Sequence, residues 1–204
     1  MMNSGKSSGS LTAQCEAQPG TVNLPNLLTL GRILLIPVFV LVFLSPTPDR
    51  SVVAAAVFAV AAVTDLLDGY LARRRSEITK LGRLLDPVAD KLLVLSGLIL
   101  LVQFQRVDAV VAILIIAREV AVTGVRAIAA SEDIVLTPET IGKYKMVAQV
   151  IAIILLVLER IPMPIPIDAH FAGTWLLYLA LVLGWVSGGR YLLSFWRQVT
   201  LKGL

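Results

Sequence analysis

The sequence predicts an all-α, polytopic membrane protein with six transmembrane helices, and three observations predict it. Of 204 residues, 57% are hydrophobic and only 16% charged, where a soluble domain has roughly half and a quarter. Mean hydropathy is +0.83, an excess that one core cannot hide, because a 22.0 kDa globule keeps a large wet surface. The apolar residues also gather in runs, and at about 20 residues per span, six spans use about 120 of the 204. The rest suffices for a tail and brief loops, not for a second soluble domain. A soluble enzyme, a disulfide-stapled secreted scaffold and a β-barrel are excluded as leading readings. Backbone groups in hydrocarbon must be paired within the segment, so the runs are helices.

Residues 1–22 are rich in Ser, Gly and Gln and read as a flexible polar tail. With no apolar run ahead of a cleavage site, no removable signal peptide is expected. Thr12-Ala13-Gln14-Cys15 resembles a lipoprotein box but lacks the hydrophobic region that precedes one. Cys15 is the one cysteine, so no internal disulfide or cysteine metal cluster is expected. A single membrane domain, 23–204, opens at Asn23-Leu24-Pro25-Asn26, where Pro and Asn start a helix. The first run spans about Leu27–Leu44, with a kink expected at Pro37, and Ser45–Asp49 is a turn. The second spans about Val52–Arg73 and the third about Leu84–Phe104. Gln105–Asp108 turns tightly into a fourth, which ends near Ala130. Polar Ser131–Glu139 precedes a fifth, about Ile141–Leu158. Arg160–Pro166, with alternate prolines, is extended, and the sixth spans about Phe171–Trp196. No internal repeat is present.

Lys and Arg are unevenly shared among the short connections, which sets orientation. Arg73, Arg74, Arg75, Lys80 and Arg83 lie between helices two and three, Arg126, Lys143 and Lys145 flank the connection of four to five, and Arg197 and Lys202 follow helix six. The other side has Arg50, Arg106 and Arg160. Both termini are therefore expected in the cytoplasm, with the chain multi-pass in the cell membrane. This topology accounts for a net charge of +4 and a pI near 9.5 without nucleic acid as a partner.

The polar residues inside the apolar runs carry the chemistry. Asp65 and Asp68 are three apart, Asp86 and Asp90 four apart, and either spacing puts a pair on one helix face. The hairpin joining helices two and three brings the two faces together at the cytoplasmic end. Four carboxylates gathered there repel one another and suffer desolvation. Two divalent cations would neutralise them, and an all-oxygen donor set favours Mg²⁺ or Mn²⁺ over zinc. The single His170 lies in the outer loop. Ion pairs with Arg73, Arg74, Arg83 or Lys91 would explain one or two of the acids but not four facing one another. Gly69 and Gly82 allow close approach of a ligand or of a neighbouring helix.

The pattern D-x-x-D-G-x-x-A-R, eight residues, G-x-x-x-D-x-x-x-D runs over 26 residues from Asp65 to Asp90. It resembles the signature of the CDP-alcohol phosphatidyltransferase family at every specified position. Asn23–Thr29, Arg32–Pro37, Ala117-Arg118-Glu119, Val122–Arg126 and Ile141–Lys145 resemble the branch of that family whose acceptor is glycerol 3-phosphate. Met146 stands where that branch usually has Thr.

The resemblance implies a six-helix membrane enzyme with a cytoplasm-facing active site. It would transfer a phosphatidyl group from CDP-diacylglycerol to sn-glycerol 3-phosphate and release CMP. It implies that Asp65, Asp68, Asp86 and Asp90 ligate two Mg²⁺ or Mn²⁺ ions, and that Asp90 is also the general base. Gly69, Arg73 and Thr79 would contact the cytidine diphosphate, with Asn26 and Thr29 closing over it. On the residues alone, Arg73 is a forked donor suited to phosphate, while Asn26 and Thr29 serve equally well as helix caps.

A phosphorylated acceptor needs an anion pocket. Arg118 lies deep in an apolar run, where an unpaired guanidinium is costly, and Arg126 follows eight residues later on roughly the same face. With Lys143 and Lys145 they form a candidate phosphate cradle. The competing reading has Arg118 balancing an aspartate and the lysines anchoring a helix at the interface.

Trp175, Trp185, Trp196, Tyr178 and Tyr191 read as interface anchors and packing residues. Gly184, Gly188 and Gly189 allow close helix approach, within the bundle or at a homodimer face. Donor acyl chains would enter from the bilayer. Two alternatives stand beside this reading. One keeps the reaction and changes the acceptor to phosphatidylglycerol, inositol phosphate or serine. The other is a cation transporter, against which the acids lie near one membrane face rather than at the midplane of repeated halves.

Overall fold

The structure is a computed structural model that describes the backbone of residues 24–75, 80–132, 140–159, 161 and 168–202, and the side chains of 30–64, 89, 91–132, 142–159, 161 and 168–200. Among the described residues six helices follow one another: α1 (Leu24–Phe43), α2 (Pro48–Arg75), α3 (Lys80–Gln103), α4 (Ala109–Ser131), α5 (Thr140–Val157) and α6 (Ala169–Lys202). No strand occurs among the described residues. Each helix coincides with one apolar run of the sequence, extended by a few polar residues at its ends. The polar tail 1–22 and the proline-rich residues 162–166 lie outside the described residues.

Local chemistry explains the boundaries. Pro37 lies within α1, which continues through it. Pro48 opens α2, where its missing N–H is no loss. At the end of α3, Gln105 takes a left-handed conformation (φ 58°). Arg106 N–H donates to Leu101 O at 2.8 Å and Gln105 N–H to Val102 O at 3.0 Å, the paired bonds of a Schellman termination. Two residues on, Asp108 caps α4 by accepting from Val110 N–H at 2.7 Å. Asp168 likewise accepts from His170 N–H at 2.9 Å before α6.

The core forms where α1, α2, α3 and α5 converge. Phe39, Phe43, Phe58, Leu98, Leu101, Ile153 and Leu156 are fully buried there. Phe39 packs on Phe58 at 5.3 Å between ring centroids, and Phe43 meets Phe104 edge-on at 5.4 Å. Two glycines set helix spacing. A Cβ on Gly97 would sit 3.1 Å from Phe58, and one on Gly173 would sit 2.8 Å from Leu156. At Gly173 helix α6 approaches α5 more closely than alanine permits, whereas at Gly97 the Phe58 and Ile153 side chains would have to give by a few tenths of an ångström.

Among the described residues one helix, Ala169–Thr200, is long and apolar enough to cross a membrane by length and composition. The other five were expected to qualify too. Helix α4 carries Arg118, Glu119 and Arg126 within its apolar run, while the described side chains of α2 and α5 cover only residues 48–64 and 142–157 of those helices. The apolar parts of α1 and α3 among the described residues are shorter, Leu30–Phe43 and Lys91–Gln103. All six helices nonetheless expose large apolar side chains, among them Leu34, Leu41, Val60, Val63, Ile99, Ile113, Val120, Ile151, Leu193 and Trp196.

Candidate active site

Helix α2 is continuous through Asp65 and Asp68, and α3 through Asp86 and Asp90. Both spacings are therefore realised on helices, and the two helices are in contact. Helix α1, which carries Asn26 and Thr29 near its start, packs against both. Gly69 and Arg73 fall in the last turns of α2. The side chains of Asp65, Asp68, Asp86, Asp90, Asn26, Thr29 and Arg73 lie outside the described residues, as do Gly69 beyond its backbone and Thr79 altogether. Among the described residues no group of three or more His, Cys, Asp or Glu could hold a metal. The donor set that fits one is the four aspartates, all oxygen ligands suited to a hard divalent cation.

The four basic residues expected to cradle a phosphate come together. Arg118, Arg126, Lys143 and Lys145 all line one cavity of about 320 Å³ between α3, α4, α5 and α6. Lys91, next in sequence to Asp90, lines it too, so the aspartate-bearing helix forms one wall. Among the described residues, five basic side chains and one acidic one, Glu119, thus face the same space.

Arg118 is held in place from three sides. Its Nε donates to Gly184 O at 2.7 Å, one terminal nitrogen donates to Ser187 Oγ at 3.4 Å, and the other lies 3.2 Å from Glu119 Oε1. The same carboxylate oxygen accepts from Lys145 Nζ, which pairs α4 with α5. The sequence folds this way because Ile115, Arg118 and Val122 share the buried face of α4, and α6 opposes that face with glycines. A Cβ on Gly188 would sit 3.3 Å from Arg118 Nε, and one on Gly184 would sit 3.6 Å from it. These two glycines therefore serve a contact within the chain, whereas a Cβ on Gly189 would meet open space. Arg126 donates to Tyr191 Oη at 2.9 Å, with its guanidinium 4.6 Å from the ring centroid. Lys143 is exposed at the rim, while Lys145 is buried.

Arg118 thus has Glu119, Ser187 and a backbone carbonyl as its partners among the described residues. Sequence reasoning quoted Glu119 only within the branch-like segment and gave it no role, although a carboxylate in an apolar helix is itself a signal. It treated Tyr191 as an anchor or packing residue; the side chain is buried and bonded to Arg126. Gln149, one turn after Lys145, was also overlooked: a lone amide in the apolar stretch Met146–Val157 lines the cavity as well.

Comparison with known proteins adds to this geometry. A model described as CDP-alcohol phosphatidyltransferase matches residues 22–186. Similar proteins include one from Bacillus subtilis (strain 168), 40% identical over 189 residues, covering 87% of this chain and 97% of the relative. One from Escherichia coli (strain K12) is 40% identical over 174 residues, covering 83% and 93%. One from Rickettsia bellii (strain RML369-C) is 38% identical over 169 residues, covering 83% and 93%. All three relatives bear the name CDP-diacylglycerol–glycerol-3-phosphate 3-phosphatidyltransferase.

Proposed function

The chain belongs to the CDP-alcohol phosphatidyltransferase family, and from that premise we propose that it transfers the phosphatidyl group of CDP-diacylglycerol to a hydroxyl of sn-glycerol 3-phosphate, giving phosphatidylglycerophosphate and CMP. The observation that carries the acceptor assignment is the cavity. Five basic side chains from three helices surround a space walled by the residue next to Asp90. A phosphorylated acceptor seated there places its hydroxyl beside the aspartate helices, so binding energy is spent on orientation.

Asp65, Asp68, Asp86 and Asp90 would hold two divalent cations, Mg²⁺ or Mn²⁺. When bound, these supply Lewis-acid polarisation of the diphosphate and charge stabilisation of the leaving CMP. Asp90 takes the proton of the attacking hydroxyl. As the hydroxyl oxygen bonds to the phosphatidyl phosphorus, the bond from that phosphorus to the oxygen bridging to CMP breaks, and its electron pair leaves with CMP. Gly69, Arg73 and Thr79 engage the cytidine diphosphate, with Asn26 and Thr29 closing from α1. Arg118, Arg126, Lys143 and Lys145 hold the acceptor phosphate.

The chain crosses the membrane six times with both termini in the cytoplasm. The exposed apolar side chains on all six helices support this reading, since soluble monomers rarely expose large contiguous apolar patches. The basic connections support the orientation.

Purified protein given CDP-diacylglycerol, glycerol 3-phosphate and Mg²⁺ should release CMP, and chelation should stop it. Absence of CMP with every polyol acceptor would contradict the assignment. Asp90→Asn should cut turnover by about a thousandfold, the order expected for loss of a general base, with affinity for CDP-diacylglycerol retained. Near-normal turnover would remove Asp90 from the base role.

A further inference from the structure

Gln149 is 2% exposed, lines the cavity, and its Nε2 has no hydrogen-bond partner among the described residues. A buried amide N–H left unmade costs free energy, and buried polar groups in native proteins are nearly always satisfied. The side chain sits one helical turn after Lys145 on the same face of α5. The two residues are therefore neighbours on the α5 wall of the cavity. Leu98 and Ile115, which line the cavity as well, offer no acceptor. Glu119 Oε1 is already shared by Arg118 and Lys145.

The chemistry of the lining selects what completes Gln149. Among the described residues five basic groups surround one acidic group, a lining that attracts an anion. A phosphate group presents several oxygens and accepts from Arg118, Lys145 and an amide at once, whereas a hydroxyl oxygen accepts two bonds at most. We propose that Gln149 is an acceptor-binding residue, donating from Nε2 to a phosphate oxygen of the acceptor. The inference rests on reading the cavity as the acceptor site. A neutral donor suits this position: it adds a directional bond without adding to the repulsion among Lys91, Arg118 and Lys145. It also adds to the directional recognition of a tetrahedral oxyanion that guanidinium forks such as Arg118 provide.

The test uses the full chain with each substrate varied in turn, and Gln149→Met, close in shape but with no donor. The expected result is a rise of about tenfold in KM for glycerol 3-phosphate, the scale of one hydrogen bond to a charged group. KM for CDP-diacylglycerol should stay within about twofold. Inorganic phosphate should weaken as a competitor by a similar factor. The thermal midpoint should hold or rise, because the amide has no protein partner to lose. Gln149→Asn, which keeps the amide but withdraws it by one methylene, should move KM in the same direction and covers the case in which the methionine variant misfolds. An unchanged KM for glycerol 3-phosphate overturns the proposal. So does an equal rise for both substrates with a lowered midpoint, which marks a packing role. Arg118→Ala run in parallel separates the two layers. If it raises KM and Gln149→Met does not, only the Gln149 assignment falls; if neither does, the reading of the cavity falls with it.

Discussion

Arg106 and Arg118, two of the three arginines buried among the described residues, have different surroundings. Arg106, 3% exposed, sits just before α4 and is held by groups of its own chain. One terminal nitrogen donates to Leu156 O and Val157 O, both at 2.8 Å, its Nε lies 3.0 Å from Glu159 Oε1, and its guanidinium lies over the Phe43 ring at 5.2 Å. It closes the C-terminal end of α5, where the last carbonyls lack intrahelical partners and the helix dipole favours a cation. Arg118, 8% exposed, is also bonded to its own chain, but the cavity it borders gathers, among the described residues, four more basic side chains against one acid. Burial of a charge is therefore not the mark of a site. What separates the two is whether positive charge gathers around a space that an anion can enter.

The largest effect should come from the first of them. Arg106→Ala strands the Glu159 carboxylate and two helix-end carbonyls, and should cost about 3–5 kcal/mol, read as a lowered midpoint in thermal unfolding. The fraction that remains folded should keep both KM values. A changed KM for glycerol 3-phosphate would break the comparison. Arg118→Ala should act the other way round. KM for glycerol 3-phosphate should rise by about a hundredfold, the scale for a charged pair with phosphate, with KM for the lipid donor nearly unchanged. Equal effects on both would make Arg118 a second Arg106.

Glu119→Gln sharpens the contrast. Without its carboxylate, Arg118 and Lys145 lose a shared counter-charge, so the empty protein should lose about 1–2 kcal/mol. Added glycerol 3-phosphate should restore more of the midpoint in this variant than in the unmodified chain, by linkage. The same ligand shift in both proteins would show that Glu119 does not oppose the site's cations. The smallest effect belongs to His170→Ala. The ring is 51% exposed and meets Glu159 at 2.7 Å, so its loss should change stability by less than about 0.5 kcal/mol. A larger fall would mean that Glu159 depends on the ring to hold Arg106.

The six helices were legible because long apolar runs punctuated by Pro, Asp and basic clusters leave little choice of element. The aspartate motif was legible because its spacing is local, within two consecutive helices. Arg118 and Lys145 stood out as charges in apolar surroundings. Their partners did not, because those contacts join distant parts of the chain: Gly184 and Ser187 reach Arg118 from another helix, and Tyr191 reaches Arg126. Gly184 and Gly188 read as generic packing glycines until α4 is laid against α6. Arg106 was counted only as a residue on the outer side, since nothing local announces that it will cap α5. Gln149 carries no pattern; only the cavity makes it conspicuous.

The central claim is that the basic cavity is built for the acceptor's phosphate, and a comparison of two acceptors tests it most directly. CMP release should be measured with CDP-diacylglycerol and Mg²⁺ fixed, against glycerol 3-phosphate and against glycerol at matched concentrations. A site built around a charged group rejects the analogue lacking it by several orders of magnitude, so glycerol should give less than about a hundredth of the rate. Comparable rates with the two acceptors would contradict the account.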